Sequence, residues 1–402
     1  MNSDALIKKC IAFVSIRYGI EVNGGAEFYC RQLAEKLTDY YEVEVLTTCA
    51  IDYVTWKDEY KEGTEVLNGV TVRRFKVDYE RNPKKFNAFT PKVLDPCHTI
   101  QDEIKWMEMQ GPVSSRLLNY LSENKDKYYA IIFIPYLYYT TYFGMKIAPE
   151  KSFLISAAHD EPYIKLDIFK DMFIMPRGFI FLTEEEQKLV HKLFNNSQIP
   201  FSVIGSGIDI PENVNGSEFR KKYNIYDKFM IYIGRIDESK GCKELFEYFC
   251  RYKEQNGNDL KLVLMGKPVI EVPEQPDIIS LGFVDEADKF SGLSEADFLV
   301  LPSKFESLSI VVLESMALGK PVLVDGNCTV TRGHCIKSNA GLYYMNYNEF
   351  EACINLLISN KVLVECMGKN GVKYIQDNYL WRNVIKKFSD IIDEALNRNS
   401  KM

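Results

Sequence analysis

The chain has 402 residues, of which 46% are hydrophobic and 26% charged, and its formal net charge is −7. This length exceeds one ordinary hydrophobic core and favours two domains of about 150–200 residues each. The composition excludes a disordered chain, and the acidic balance argues against nucleic acid as a partner. We therefore expect a soluble globular protein with two domains.

Membrane and targeting signals are weak in this sequence. No apolar window reaches the about 18 residues of a spanning helix, and the amino-terminal apolar run lacks the cleavage site of a signal peptide. The ten cysteines are scattered without a CxxC pair, which indicates free thiols in a reducing compartment. We expect a cytoplasmic protein, with peripheral contact to the inner face of a membrane as an option. The candidate basic patch for anionic lipid is Arg81, Lys84 and Lys85.

A metal centre is the alternative for one histidine-containing segment. Cys328, His334 and Cys335 are close in sequence and have ligand side chains. They lack a second ligand pair at zinc spacing. We therefore expect no metal and no cofactor.

Short apolar runs alternate with helical periods along the first half of the chain. "CIAFVSI" predicts a buried strand, "GAEFYCRQLAEKL" a helix and "YEVEVLTT" a second strand, which together form a βαβ unit. Further strands are predicted at "YAIIFI", "SFLISAA" and "GFIFLT".

The same pattern restarts at Met230. Strands are predicted at "MIYIG", "LKLVLMG", "DIISLGF", "ADFLVLPS" and "PVLVD", and helices at "CKELFEYFCRYKEQ" and "IVVLESMAL". Near-continuous apolar strands alternating with helices indicate parallel sheets covered on both faces. The sequence thus predicts an α/β protein with two Rossmann-like domains that join in the "GSGIDIPENVNGS" segment. Ligands bind such folds at the carboxyl ends of the strands.

The loop "YGIEVNGGAEF" follows the first strand. Gly24 and Gly25 let the backbone approach a ligand closely, and the next helix offers its amides to an anion. The alternative is a tight turn with Asn23 as the helix cap. The dinucleotide fingerprint is absent, and the second strand ends in Thr47 and Thr48 rather than an acid, which disfavours a nicotinamide cofactor.

The loop "GRIDESKG" follows the first strand of the second half. Arg235 and Lys240 leave this strand five residues apart, just before a helix. Two cations and a helix N-terminus suit one diphosphate. The alternative is a solvated charge cluster with Asp237 and Glu238.

The stretch "FESLSIVVLESMALGKPVLV" places two glutamates in an apolar run. We predict a helix from Ile310 with Gly319 as its C-cap, so that Glu314 lies mid-helix and Glu306 in the preceding loop. A carboxylate facing a cleft accepts hydrogen bonds from vicinal hydroxyls, as in a sugar. The alternatives are a salt bridge from a lysine to Glu314 and a helix N-terminal charge for Glu306.

The stretch "FLISAAHDEPY" ends a predicted strand with His159 and Asp160. The chain has only four histidines. One of them at the carboxyl end of a strand is a candidate catalytic group, and a structural role is the alternative.

These loops occur in the order "NGGAE", "HD", "GRIDESKG" and "ESLSIVVLE". In this order and over nearly the whole chain, the sequence resembles the retaining glycosyltransferases of family four, which have the GT-B fold. The resemblance implies an amino-terminal acceptor-side domain over 1–208 and a nucleotide-sugar-binding domain over 209–382, with a cleft between them. It also implies that a helix from about 383 to 402 packs back on the first domain.

The resemblance implies roles for the donor-side residues. Arg235 and Lys240 would hold the donor diphosphate, and Glu314 the ribose hydroxyls. Glu306 would bind hydroxyls of the transferred sugar. The other donor contacts would be the backbone amides of Leu308, Ser309 and Ile310, the base-reading groups of Phe283 and Val284, and Gly24 and Gly25 beside the phosphates.

The resemblance also implies roles near the reacting bond and one departure. His159 would lie beside the reacting sugar, and Asp160 is a candidate general base or nucleophile. Many family members have Phe-Gly after the first glutamate, where this chain has Leu308 and Ser309. We expect this departure to affect which sugar fits.

The implied activity is transfer of a hexosyl group, with retention, from a UDP- or GDP-linked sugar to a saccharide or glycolipid acceptor, without a metal. A bacterial role in cell-surface polysaccharide synthesis is expected. The alternatives are a sugar-nucleotide epimerase of the same fold and a non-catalytic nucleotide-sugar-binding protein. The second would be expected to lose Glu306 or Lys240, and both are present.

Overall fold

The computed structural model describes residues 8–22 and 24–397. The chain divides into two compact units, which we treat separately. The amino-terminal unit comprises Met1–Ser206 and Trp381–Met402, and the carboxy-terminal unit comprises Gly207–Leu380. The divisions fall after residues 206 and 380, whereas the sequence analysis placed them after residues 208 and 382.

The amino-terminal unit has an eight-stranded sheet in the order β3-β4-β2-β1-β5-β6-β7-β8. All neighbouring pairs are parallel except β3 with β4. The strands are β1 Cys10–Ser15, β2 Glu42–Thr48, β3 Gly63–Leu67, β4 Val70–Phe75, β5 Ala130–Ile134, β6 Ser152–Leu154, β7 Gly178–Phe181 and β8 Phe201–Val203.

Helices cover both faces of this sheet. They are α1 Gly25–Leu37, α2 Pro83–Val93, α3 Ile100–Gln110, α4 Ser115–Asn124, α5 Tyr139–Met145, α6 Ile168–Met172, α7 Glu184–Phe194 and α15 Trp381–Asn397, with short 3₁₀ turns at 125–127, 149–151 and 162–165. The C-terminal helix α15 packs in this unit, where Phe388 stacks on Phe13 of β1 with ring centroids 6.2 Å apart.

The carboxy-terminal unit has a fully parallel six-stranded sheet in the order β11-β10-β9-β12-β13-β14. Its strands are β9 Phe229–Ile233, β10 Lys261–Met265, β11 Ile278–Ser280, β12 Phe298–Leu301, β13 Val322–Asp325 and β14 Gly341–Tyr344. Its helices are α8 Gly216–Tyr223, α9 Cys242–Asn256, α10 Glu286–Glu295, α11 Ile310–Ala317, α12 Thr329–Ser338, α13 Tyr347–Ser359 and α14 Lys361–Asn378.

The strand order of the second sheet corresponds to 3-2-1-4-5-6, the order of doubly wound dinucleotide-binding domains. The order in which successive strands are added to the sheet reverses between β9 and β12. These two parallel strands pair at Met230 with Phe298 and at Ile231 with Leu299. The first sheet reverses in the same way between β1 and β5. Ligands of such sheets bind outside the carboxyl ends of the strands at these reversal points.

The structure contains elements that the apolar runs do not predict. The β3–β4 hairpin turns at Asn68 and Gly69, which have φ of 49° and 83°. The sheet-edge strands β8 and β14 and the helices α2 to α4 are likewise additional. Strand β6 ends at Leu154, four residues before the end of the predicted strand "SFLISAA". No helix within the described ranges has the length and apolarity to cross a membrane.

Candidate active site

The carboxyl ends of β9, β10 and β11 approach one another closely. Gly266, after β10, has φ 151°, and a Cβ on it would lie 1.8 Å from the carbonyl oxygen of Gly234. The amide of Gly266 donates to the carbonyl of Gly282 at 2.8 Å. Only glycine permits this approach, so three consecutive strand ends form one tightly packed rim beside the reversal point.

Two charged side chains meet at the reversal point. Lys240, which ends the loop after β9, places Nζ 2.8 Å from Oε1 of Glu306 in the loop after β12. The pair is partly buried, with side chains 32% and 15% exposed. The structure thus brings together two residues that the sequence analysis assigned to neighbouring parts of one substrate.

Asp237 organises the loop between β9 and α9. Its carboxylate accepts bonds from Ser239 Oγ at 2.8 Å and from the Lys240 amide at 2.9 Å, and it forms an ion pair with Arg235. Burial alone would raise the pKa of Asp237, but these hydrogen bonds and Arg235 lower it. Arg235 and Asp237 therefore form the kind of charge pair that the sequence analysis gave as the alternative for this loop. Lys240 instead pairs with Glu306.

The N-terminus of α11 lies beside Glu306. Its N-cap, Ser309, has φ 63° and no side-chain capping bond. Among the described residues, no hydrogen bond reaches the amides of Ser309, Ile310 and Val311. Free amides at a helix N-terminus bind anions. These three amides can therefore act on a phosphate or on developing negative charge.

The residue before this N-cap faces the interior. Leu308 is 3% exposed, and its carbonyl accepts a hydrogen bond from His334 Nε2 at 2.9 Å. The Leu308 side chain therefore packs in the core. The expectation that the Leu308-Ser309 departure affects which sugar fits stays a prediction. His334, considered above as a metal ligand, instead supports the loop that presents Glu306.

Glu314 lies on α11, one turn beyond the N-terminus, and is 5% exposed. Its Oε1 accepts a hydrogen bond from Lys289 Nζ of α10 at 2.8 Å. Burial raises the pKa of Glu314, and Lys289 opposes the rise. The salt bridge from a lysine, which the sequence analysis gave as the alternative role of Glu314, is therefore present. Within the described chain, Oε2 receives no hydrogen bond and remains able to accept one.

The loop 281–284 follows β11 at the rim. Leu281 donates its amide to the Leu264 carbonyl at 2.9 Å, Gly282 has φ 69°, and the Phe283 side chain is 74% exposed. Val284 is half-buried. The aromatic ring of Phe283 is thus presented at the same end of the sheet as Lys240.

In the amino-terminal unit, His159 follows β6. Its Nε2 lies 3.5 Å from Oε2 of Glu161, and Glu161 also accepts the Tyr136 hydroxyl at 2.6 Å. Asp160 is exposed and pairs with Lys165 at 2.9 Å. Glu161, which the sequence analysis did not single out, orients the imidazole, and the salt bridge of Asp160 weakens the case for a general base.

A buried carboxyl group fixes the segment before His159. Glu186, 1% exposed, accepts hydrogen bonds from Ser156 Oγ, the Ala158 amide and the Leu182 amide, at 2.5, 2.9 and 2.7 Å. Burial raises its pKa, which those bonds oppose. No sequence signal marked Glu186, because its partners are assembled only by the sheet.

The glycine loop after β1 contacts a buried ion pair. Arg17 and Glu27 form a salt bridge with side chains 5% and 8% exposed. A Cβ on Gly24 would lie 2.2 Å from Oε2 of Glu27. Helix α1 begins at Gly25 with Gly24 as N-cap. Asn23, the suggested cap, lies outside the described residues.

The three residues of the candidate lipid patch differ in exposure. Lys84 and Lys85 are exposed, whereas Arg81 is partly buried over the ring of Phe86, with Cζ 4.0 Å from the centroid. All ten cysteines are free. No group of three or more His, Cys, Asp or Glu suited to a metal ion occurs in the residues that the structure describes.

Comparison with solved structures identifies the fold. Solved structures match over nearly the full chain. A sucrose-phosphate synthase from Thermosynechococcus elongatus aligns with TM-score 0.70 at 16% identity, covering 96% of this chain and 99% of its own. Anabaena HepE in complex with UDP and glucose aligns with TM-score 0.70 at 13% identity, covering 96% and 100%. The GT-B fold predicted from the sequence is confirmed.

Sequence comparisons match parts of the chain. Residues 216–374 match the family model Glycosyl transferases group 1. An uncharacterized glycosyltransferase of Methanocaldococcus jannaschii is 25% identical over 226 residues, 52% of this chain and 57% of the relative. N-acetylgalactosamine-N,N'-diacetylbacillosaminyl-diphospho-undecaprenol 4-alpha-N-acetylgalactosaminyltransferase of Campylobacter jejuni is 27% identical over 155 residues, covering 36% and 40%. The chain spans about half the length of these relatives. The carboxy-terminal part of the chain is thus similar to the glycosyl transferases of group 1.

Proposed function

We propose that the protein is a retaining hexosyltransferase that uses a UDP- or GDP-linked sugar as donor. The observation that carries the proposal is the meeting of Lys240 and Glu306 at the reversal point of the carboxy-terminal sheet, beside the free amides of α11. A cation, an anion-binding helix end and a hydroxyl-accepting carboxylate are what a sugar diphosphate requires.

The donor contacts follow from the positions of these residues. Lys240 and Arg235 bind the diphosphate together with the amides of Ser309 and Ile310. Glu314 accepts ribose hydroxyls through Oε2, because Lys289 occupies Oε1. Glu306 binds hydroxyls of the transferred sugar. Phe283 and Val284 lie at the rim, where they can contact the base.

The reaction breaks the bond between the anomeric carbon and the diphosphate oxygen, and the electron pair stays on that oxygen. Lys240 and the α11 amides stabilise the resulting charge, so the chemistry needs no metal. The acceptor hydroxyl attacks the same face of the sugar and gives its proton to the departing phosphate oxygen, which retains the anomeric configuration. His159, held by Glu161, binds the reacting sugar, and Asp160 has no assigned step.

A saccharide or glycolipid acceptor fits this proposal, and we assign it to the amino-terminal unit. The name of the Campylobacter jejuni relative specifies a diphospho-undecaprenol-linked acceptor, and cell-surface polysaccharide synthesis is the corresponding role. The ten free cysteines favour the cytoplasm as its location.

The direct test is a panel of nucleotide sugars. A thermal-shift assay with UDP- and GDP-linked sugars identifies the donor, and incubation with that donor alone and with added acceptors follows the product. The proposal expects stabilisation by at least one donor and transfer that depends on an acceptor. Conversion of the donor to an epimer without an acceptor would favour an epimerase, and binding without turnover would favour a binding protein.

A further inference from the structure

Four strand ends of the amino-terminal sheet converge around one aromatic cluster. Arg17 follows β1, Tyr53 and Trp56 follow β2, Arg81 follows β4 and Tyr138 follows β5. The Arg17 guanidinium carbon is 5.6 Å from the Tyr53 ring centroid, and Trp56 meets Tyr138 edge-on at 5.7 Å. These loops flank the β1–β5 reversal point, where this type of sheet binds ligands.

The two arginines of this cluster have different partners. Arg17 forms the buried pair with Glu27 and donates Nη1 to the Ile51 carbonyl at 2.6 Å. The Arg81 amide donates to the Thr55 carbonyl at 2.6 Å, but its Nε is buried without a hydrogen-bond partner. Within the described residues, no carboxylate pairs with the Arg81 guanidinium, whose recorded contact is the Phe86 ring.

The nearby acid compensates the charge of Arg81 only in part. Asp52 is the nearby carboxylate that acts on Arg81 electrostatically, and it accepts bonds from the Val54 amide and from the amide and hydroxyl of Thr55. Burial lowers the pKa of Arg81. A partly desolvated guanidinium without an acceptor is unfavourable for folding. Such a group is retained where an oxyanion pairs with it, since the planar guanidinium matches carboxylate and phosphate geometry.

We propose that Arg81 binds an oxyanion on the acceptor, so that the acceptor is an acidic saccharide or a phosphate-linked one, with the Tyr53 ring as a stacking surface for the adjoining sugar. This inference rests on the proposed function, because it assigns the acceptor to the amino-terminal unit. A uronic acid and a lipid phosphate are two sources of the same chemistry, and the experiment distinguishes them.

The test uses matched anionic and neutral probes in calorimetric titrations of the full chain. The carboxylate arm compares methyl glucuronide with methyl glucoside. The phosphate arm compares farnesyl phosphate with farnesol, in a Lys240→Ala background that weakens donor-site phosphate binding. Arg81→Met is the variant, and Lys84→Met is the matched control on an exposed cation of the same segment.

We expect one anionic probe to bind about tenfold to a hundredfold more tightly than its neutral counterpart, as for a charge-assisted hydrogen bond. Arg81→Met abolishes this preference and Lys84→Met retains it. Arg81→Met also raises the melting temperature of the protein without probe, because it removes a partly desolvated charge that no carboxylate pairs with. Arg81→Lys keeps the charge and retains part of the preference, which provides a second folded variant.

Two outcomes would overturn the inference. One is equal affinity for both members of each probe pair, and the other is an anion preference that persists in Arg81→Met. UDP and GDP titrations of the samples that keep Lys240 report separately on the donor site. Failure of both UDP and GDP to bind, beside an Arg81-dependent anion preference, would contradict the proposed function alone. Normal UDP binding with no anion preference would contradict this inference alone.

Discussion

The ammonium of Lys240 lies 2.8 Å from Oε1 of Glu306, 66 residues further along the chain. The pair joins the loop after β9 to the loop after β12 across the reversal point of the sheet. Lys240 and Glu306 are proposed to bind adjacent parts of one donor, and the ion pair couples their electrostatics. Removing the charge of one side chain leaves the other without its ionic partner.

Glu306→Gln tests this coupling. It releases Lys240 from its partner, so nucleoside diphosphate affinity is expected to stay the same or to increase, while turnover falls because a transition-state hydrogen bond is weakened. Calorimetry and initial rates give the two quantities. Glu244→Gln, which breaks the Glu244–Lys304 pair of the same unit at 2.8 Å, is the matched control. Loss of nucleotide affinity in Glu306→Gln beyond that of the control would contradict the assignment.

Glu314→Gln is expected to behave differently. The substitution leaves Lys289 without its partner on α10, so the melting temperature falls, and weaker acceptance of ribose hydroxyls lowers nucleotide affinity. Nucleoside and nucleoside diphosphate titrations on the folded variant measure the second effect. Glu286→Gln, which removes a more exposed carboxylate 3.9 Å from the same lysine, serves as control. A lower melting temperature with unchanged nucleotide affinity would assign Glu314 a structural role only.

Ser309→Gly tests the backbone at the α11 N-cap. A residue with a Cβ at φ 63° is strained by about 1–2 kcal/mol, and the greater chain entropy of glycine offsets part of the gain. We expect the free energy of unfolding to increase by about 1 kcal/mol in urea titrations. Ser309→Ala keeps the Cβ and removes only the buried, unpartnered hydroxyl. Equal gains in both variants would refute backbone strain as the cause.

His98 makes stability depend on pH. Its Nδ1 contacts the Asp95 carbonyl and its Nε2 contacts buried Glu103, at 2.6 and 2.5 Å, and these partners raise the His98 pKa above 6.5. Because the folded pKa exceeds the unfolded one, the stabilisation is complete below about pH 6.5 and is lost as the pH rises through the folded pKa. Melting temperatures of wild type and His98→Gln should converge above that pKa. A constant difference from pH 5 to 9 would exclude the mechanism.

The sequence predicts much of the fold because buried parallel strands are read directly as apolar runs. The β3–β4 hairpin was missed although Asn68-Gly69 is a strong two-residue turn signal, since its outer strand is largely exposed. Boundaries such as the end of β6 depend on pairing with neighbouring strands.

The sequence predicts which residues belong to the candidate site but not which residues they contact. Lys240, Glu306 and Glu314 were selected from motifs, whereas their ionic partners depend on which strands become neighbours. Arg17, Glu161 and Glu186 carry no local pattern, and their roles follow from the sheet. Arg81 was assigned to an exposed patch because its packing on Phe86 cannot be read from spacing.

The most direct measurement is calorimetric titration of UDP and GDP into wild type, Lys240→Ala and Lys243→Ala. Lys243 is an exposed lysine on the first turn of α9 and provides the control for charge alone. The account predicts that one nucleotide binds wild type and Lys243→Ala with similar affinity. It predicts that Lys240→Ala weakens binding about tenfold to a hundredfold, as expected for a charge-assisted hydrogen bond of roughly 1.5–3 kcal/mol. Equal affinity of all three proteins for both nucleotides, or no binding by any of them, would contradict it.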